Sequence, residues 1–218
     1  MRVKWWIAAS LLCLGCPAWA QWVPLNGTQT STTQVLSADG RVISHRETQE
    51  RYFRSSSGSV LVQQIADDGT NLPTSGLLLD HGNTRKSYVV DYRAAKAIDK
   101  HRPAPASAPM TQAKLPVLLA PGQSAPAEEQ VNGVRCVIIP IYVQNPNGSR
   151  KLIGRAWAAP DYNYAMMKED STRTLPDGRL IHTSRELKNV TAGVEPDAVL
   201  FATDAASVRQ ARTRVPRR

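Results

Sequence analysis

The chain has little with which to cross-link, ligate a metal or stack. Its 218 residues include three cysteines, four histidines and two phenylalanines. Two of the cysteines, Cys13 and Cys16, fall in a leader. Arg2 and Lys4 form a charged start, Trp5–Gly15 an apolar run, and Ala18-Trp19-Ala20 a small-x-small site. That order predicts a secretory signal peptide over residues 1–20, cleaved after Ala20, and hence a periplasmic or secreted protein. A retained membrane anchor is the alternative, but the apolar run is short for a span. A lipoprotein signal at Cys16 is the other, and there Cys13 stands where an aliphatic residue is expected. Without the leader only Cys136 remains, so neither an intramolecular disulfide nor a cysteine metal site can form. Lying within an apolar run, Cys136 reads as a small buried hydrophobe. An intermolecular disulfide is its other use in an oxidising compartment.

Other absences exclude chemistry. His45, His81, His101 and His182 occupy separate segments with no i, i+4 pair and no HExxH. There is no G-x-S-x-G elbow and no glycine loop for phosphate, so no cofactor is predicted. Asp67-Asp68-Gly69-Thr70-Asn71 lacks the ligand count and the later glutamate of a calcium loop, and reads as a turn. Asp161, Glu169 and Asp170 are the carboxylates a hydrolase would have to use, and spacing alone does not pair them. Nor is there a basic domain, despite a formal charge of +9. Arg209, Arg212, Arg214, Arg217 and Arg218 crowd the end of the chain after the last acidic residue, Asp204. Nucleic-acid binding needs a basic face beside base-reading groups. The expectation is therefore no nucleic acid and a basic, disordered tail over residues 205–218 that can meet an anionic membrane surface.

What is present is β-structure. Asp39-Gly40 marks a hairpin turn between Thr28–Ser37, read as an edge strand, and the long run Arg41–Arg54. Ser59–Ala66, Gly76–Asp80 and Ser87–Tyr92 are further short strands, a spacing that argues for an antiparallel sheet. Arg93–His101 alone favours helix in this half. Residues 102–127 hold six prolines among many alanines, a composition that forbids helix or central strand. They read as an insertion crossing between two halves of one sheet, with Leu115–Ala120 as an apolar clip.

The densest apolar run is Val134–Val143. It is apolar on both faces, as in a strand covered on both sides, and Pro140 within it points to an edge or a bulge. Strands over Arg150–Ala158, Tyr164–Ser171 and Arg179–Val190 follow, and Asp197 caps a turn that returns Leu200 and Phe201 to the core. Val60, Val62, Ile139, Ile141, Trp157, Tyr164 and Met166 fall on strands where they can line a concave face for a hydrophobic ligand. The bland reading of the same residues is an ordinary core beneath the proline-rich segment.

The succession ADGR…RYFRSSSG, GLLLDHGNTRKSYVVDYRAAKAI, VNGVRC, RAWAAPDYNYAMMKED and RELKNVTAGVEPDAVLF resembles a family of uncharacterised secreted bacterial proteins. The likeness spans Ala38 to Phe201. That family is similar in strand pattern to the LolA- and LolB-like lipoprotein-localisation carriers. The resemblance implies a half-barrel with an apolar cavity capped by helices, and a lipid or lipoprotein as partner; it carries over no catalytic residue. The expected architecture is mainly β: a curved antiparallel sheet of about ten strands over residues 21–204, with short helices or loops capping the concave face. The expected function is a non-enzymatic carrier of a lipid, acyl chain or lipoprotein in the cell envelope. An envelope interaction protein using a sheet edge or the basic tail is the second reading, and a hydrolase the third.

Overall fold

The computed structural model describes residues 21–81, 84–103, 126–144 and 148–214. The leader, the clip at Leu115–Ala120, most of the insertion and the last four residues lie outside them.

The described residues form one 11-stranded antiparallel sheet. Its strands are β1 (Leu25–Leu36), β2 (Val42–Arg54), β3 (Val60–Ile65), β4 (Pro73–Asp80), β5 (Lys86–Asp91), β6 (Lys96–Pro103), β7 (Glu128–Val131), β8 (Val134–Gln144), β9 (Arg150–Ala159), β10 (Ala165–Thr174) and β11 (Leu180–Ala192). The order is β6-β5-β4-β3-β2-β1-β11-β10-β9-β8-β7. Two meanders thus run outward from a β1–β11 seam, and β6 and β7, consecutive in the chain, form the two edges. Turn chemistry enforces this course. Asn132 (φ 50°) and Gly133 (φ 78°) join β7 to β8 as a two-residue connection with both φ positive, the conformation that matches strand twist. Gly154 lets β9 and β10 approach closely. A Cβ there would overlap the Asp170 carbonyl and come 2.6 Å from Ser171 Cα.

Alternation sorts the first meander into two faces. Phe53, Leu61, Leu78, Tyr88 and Val90 form one buried cluster, and their neighbours Tyr52, Val62, Leu77 and Val89 point the other way. A 3₁₀ turn (Ala198–Phe201), capped by Asp197 accepting from Val199 N–H, brings Leu200 onto that cluster. Helix α1 (Ala205–Thr213), capped by Asp204 accepting from the N–H groups of Ala206 and Ser207, adds Val208 and Ala211. Val131, Cys136, Trp157, Ala159, Met167 and Leu187 make a second cluster in the other meander.

Four expectations need correction. The stretch 205–218 is not a disordered tail as far as Thr213: its buried Val208 and Ala211, at i, i+3 spacing, dock a short helix. That helix and the 3₁₀ turn cover the face opposite Tyr52 and Val62, not the concave face. Arg93–His101 forms no helix. Asp91 Oδ1 accepts from the N–H groups of Arg93 and Ala94, Ala95 takes a positive φ of 51°, and β6 then pairs with β5. A helix of that length is unstable alone, whereas pairing satisfies its backbone. Thr28–Ser37 belongs to β1, which is central, bonded to β2 and β11 on either side. Pro140, by contrast, sits where β8 has left β7, which pairs only with Val134–Val137.

Candidate functional site

Strand register builds one continuous row across the open face. Tyr52 lies opposite Val62, Val62 opposite Leu77, Leu77 opposite Val89, and Val89 opposite Ile98. Met166 and Met167 of β10 and Leu187 of β11 border the same space as Val62, Leu77 and Val89, a groove of ≈ 740 Å³. Residues of β5 and β10, six strands apart in the sheet, can share one groove only if the sheet curls around it. This face is therefore the concave one. Leu77 is 44% and Met166 51% exposed. Among the described residues these are large apolar side chains turned to the groove, as a ligand site requires. Burial pushes the Tyr52 hydroxyl up, with Arg54 opposing, so the ring enters the row as a neutral phenol.

Beyond the apolar row the groove becomes polar. Ser31 and Thr33 of β1, Arg46 and Thr48 of β2, and Thr183 and Arg185 of β11 line it. Its carboxylates are engaged. Glu50 accepts from Gln29 Nε2 at 2.6 Å and Ser31 Oγ at 3.0 Å. Glu169 accepts from Ser171 Oγ at 3.3 Å and faces Arg185 Nη1 at 3.5 Å. Glu186 takes Asn132 Nδ2 at 3.1 Å and Lys188 Nζ at 3.5 Å. A smaller hollow of ≈ 480 Å³ adjoins, sharing Arg46, Thr48 and Gln64.

The seven residues singled out from sequence are dispersed. Val62 and Met166 line the groove. Val60 lies one row on, opposite Leu79. Trp157 is buried in the second cluster, where its Nε1 donates to Glu129 Oε2 at 2.8 Å and Lys168 Nζ stands 4.5 Å from its ring centre. Ile139 is buried with Val137 and Ala158, and Tyr164 packs against them. Ile141 is partly buried opposite Gly154. Tyr52, Leu77, Val89 and Leu187 line the groove without having been singled out. For Leu77 the available signal was strand parity within Leu77-Leu78-Leu79.

The three carboxylates considered for hydrolysis separate as well. Asp161 faces Arg135 at 3.3 Å and Asp170 faces His182 at 3.1 Å, while Glu169 lies in the groove. Among the described residues no group of three or more His, Cys, Asp or Glu is placed to hold a metal. Cys136 is fully buried, donates weakly to the Val134 carbonyl at 3.4 Å, and has its thiol pushed up to about 11 by burial. It is expected to resist alkylation at pH 8 in the native protein and to react at once in denaturant, since the thiolate is the reactive species. Mass-spectrometric counting of iodoacetamide adducts checks this.

No family model matches the chain, and no curated protein does either. Among solved structures the chain has distant likenesses. A LolA superfamily protein from Nitrosomonas europaea is 6% identical, with 82% of this chain and 90% of that one covered, at a TM-score of 0.34. A DUF1329 family protein from Desulfovibrio piger is 10% identical, with 81% and 89% covered, at a TM-score of 0.31.

Proposed function

We propose that the chain is a non-enzymatic binding protein or carrier of the cell envelope, taking the acyl part of a lipid or lipoprotein into the concave groove. The observation that carries this reading is the row Tyr52–Val62–Leu77–Val89. It is an apolar strip left facing a ≈ 740 Å³ space, within the range of small-molecule sites. Burying an acyl chain there removes apolar surface on both partners from water, at about 25 cal/mol per Å². The leader read at residues 1–20 agrees with an envelope location. The groove carboxylates are held by neighbours, which leaves none poised as a free acid–base pair.

Leu77→Asp tests the reading. Because Leu77 is 44% exposed, the substitution should change stability by less than about 1 kcal/mol. A charge in the middle of the row should weaken binding of a fluorescent long-chain fatty acid at least tenfold. Titration of the purified mature protein, with native mass spectrometry for copurifying lipid, reads both effects. A wild-type protein that neither retains nor titrates a hydrophobic ligand would overturn it.

A further inference from the structure

The polar end of the groove holds a second arrangement that the apolar row does not explain. On the same face, Arg46 lies opposite Thr33 and Thr33 opposite Thr183. In the adjacent row Thr48 lies opposite Ser31 and Ser31 opposite Arg185. All six side chains line the groove. Arg46 and Arg185 thus stand on β2 and β11, on either side of β1. They are about 10 Å apart across the strands and about 7 Å apart along them, with hydroxyls between. Both side chains are long enough to reach over that floor.

Neither guanidinium is used up. Among the described residues the Arg46 guanidinium has no hydrogen-bond or ion-pair partner, and the hydroxyls of Thr33 and Thr183 have none. Arg185 makes one contact, at 3.5 Å to Glu169, and keeps its other N–H groups. The groove's acidic groups are occupied as described above. Asp68, in the turn after β3, is tied to Thr70. Within the groove this leaves a pair of planar donors and two free hydroxyls, a set that matches an oxyanion, while Asp67 shares the adjoining hollow with Arg46 and Arg93.

We infer that the groove takes an anionic amphiphile. Its phosphate or carboxylate sits on Arg46 and Arg185 over Thr33 and Thr183, and its chain lies along Tyr52, Val62, Leu77 and Val89. Six residue steps along β2 lead from the Arg46 row to the Tyr52 row, about 20 Å, so head and chain are read by different ends of one site. This rests on the binding function proposed above and adds the class of head group.

The test titrates the mature protein with a lysophosphatidylglycerol, with the monoacylglycerol of the same chain, and with inorganic phosphate. The lysolipid should bind at least tenfold more tightly than the neutral lipid. Arg46→Glu should remove that preference, and Arg46→Lys should retain part of it. Arg46 is exposed, so both variants should fold, and unchanged circular dichroism and urea midpoint will verify it. Equal affinity for the two lipids in the wild type would overturn the head-group assignment and leave the groove reading standing. So would an equal loss of both lipids in Arg46→Glu. Inorganic phosphate binding as tightly as the lysolipid would also overturn it, by making the free anion the ligand. Binding of neither lipid would overturn the groove reading itself.

Discussion

Val208→Asp is expected to lower the unfolding free energy by about 3 kcal/mol or more, whereas Arg209→Asp beside it should change it by less than about 0.5 kcal/mol. The contrast follows from where α1 sits. Val208 is 1% exposed and packs among Phe53, Leu61, Leu78 and Tyr92, while Arg209 is exposed. An aspartate at 208 loses the valine's transfer energy and places a carboxylate in a cluster with no cation to receive it. Urea denaturation reads the result as a fall in midpoint at unchanged slope. Removing Ala205–Arg218 should have a comparable effect, because Leu200 and the β3–β5 face would lose their cover. If the two single variants behaved alike, α1 would not be part of the core.

The same helix shows why parts of this fold were legible and others were not. Asp39-Gly40 and the first half of the apolar run Val134–Val143 carry their structure in local chemistry: a turn needing positive φ, and a strand that buries Cys136 and Val137 in separate clusters, though Val143 at its far end is exposed. In Ala205–Thr213 the buried residues are Val208 and Ala211, and the arginines dominate any reading of composition. Only the shape of the Phe53–Leu78 cluster makes so narrow a face sufficient. For β1, Thr and Ser on both faces resemble an exposed edge, yet pairing with β2 and β11 spans its whole length. The groove was legible only in part, because a side chain's face follows from register and not from residue type. Leu77, Leu78 and Leu79 are chemically alike, and cross-strand pairing alone sends Leu78 into the core and Leu77 into the groove. Trp157 looks like a ligand-stacking residue, but Glu129 and Lys168 close over it.

Arg54→Met is expected to cost roughly 3–5 kcal/mol, since it removes a side chain that ties three separate segments together. Arg54 is 3% exposed. Its Nε and Nη2 donate to the Val23 carbonyl at 3.1 and 2.8 Å, and Nη2 also donates to the Tyr162 carbonyl at 2.7 Å. Its guanidinium lies 5.0 Å from the centre of the Trp22 ring. Val23 N–H in turn donates to Asn163 Oδ1 at 2.6 Å, and Trp22 N–H to the Ser56 carbonyl at 3.1 Å. The lead-in before β1, the end of β2 and the β9–β10 connection therefore meet at one guanidinium. This point lies at the Leu25 end of the β1–β11 seam, where Leu25 pairs with both Arg54 and Ala192, so the clamp is a second tie between the meanders beside the seam itself. Methionine fills the volume but leaves two carbonyls without their charged donor. Lysine restores the charge but not the fork that serves both carbonyls, so Arg54→Lys should fall between methionine and wild type. Hydrogen exchange separates this from a general loosening. The Trp22 and Val23 amides should exchange faster in Arg54→Met, while those in the middle of the β1–β11 seam keep their protection. A methionine variant with wild-type urea midpoint and wild-type exchange at Val23 would show that the seam alone holds the meanders together.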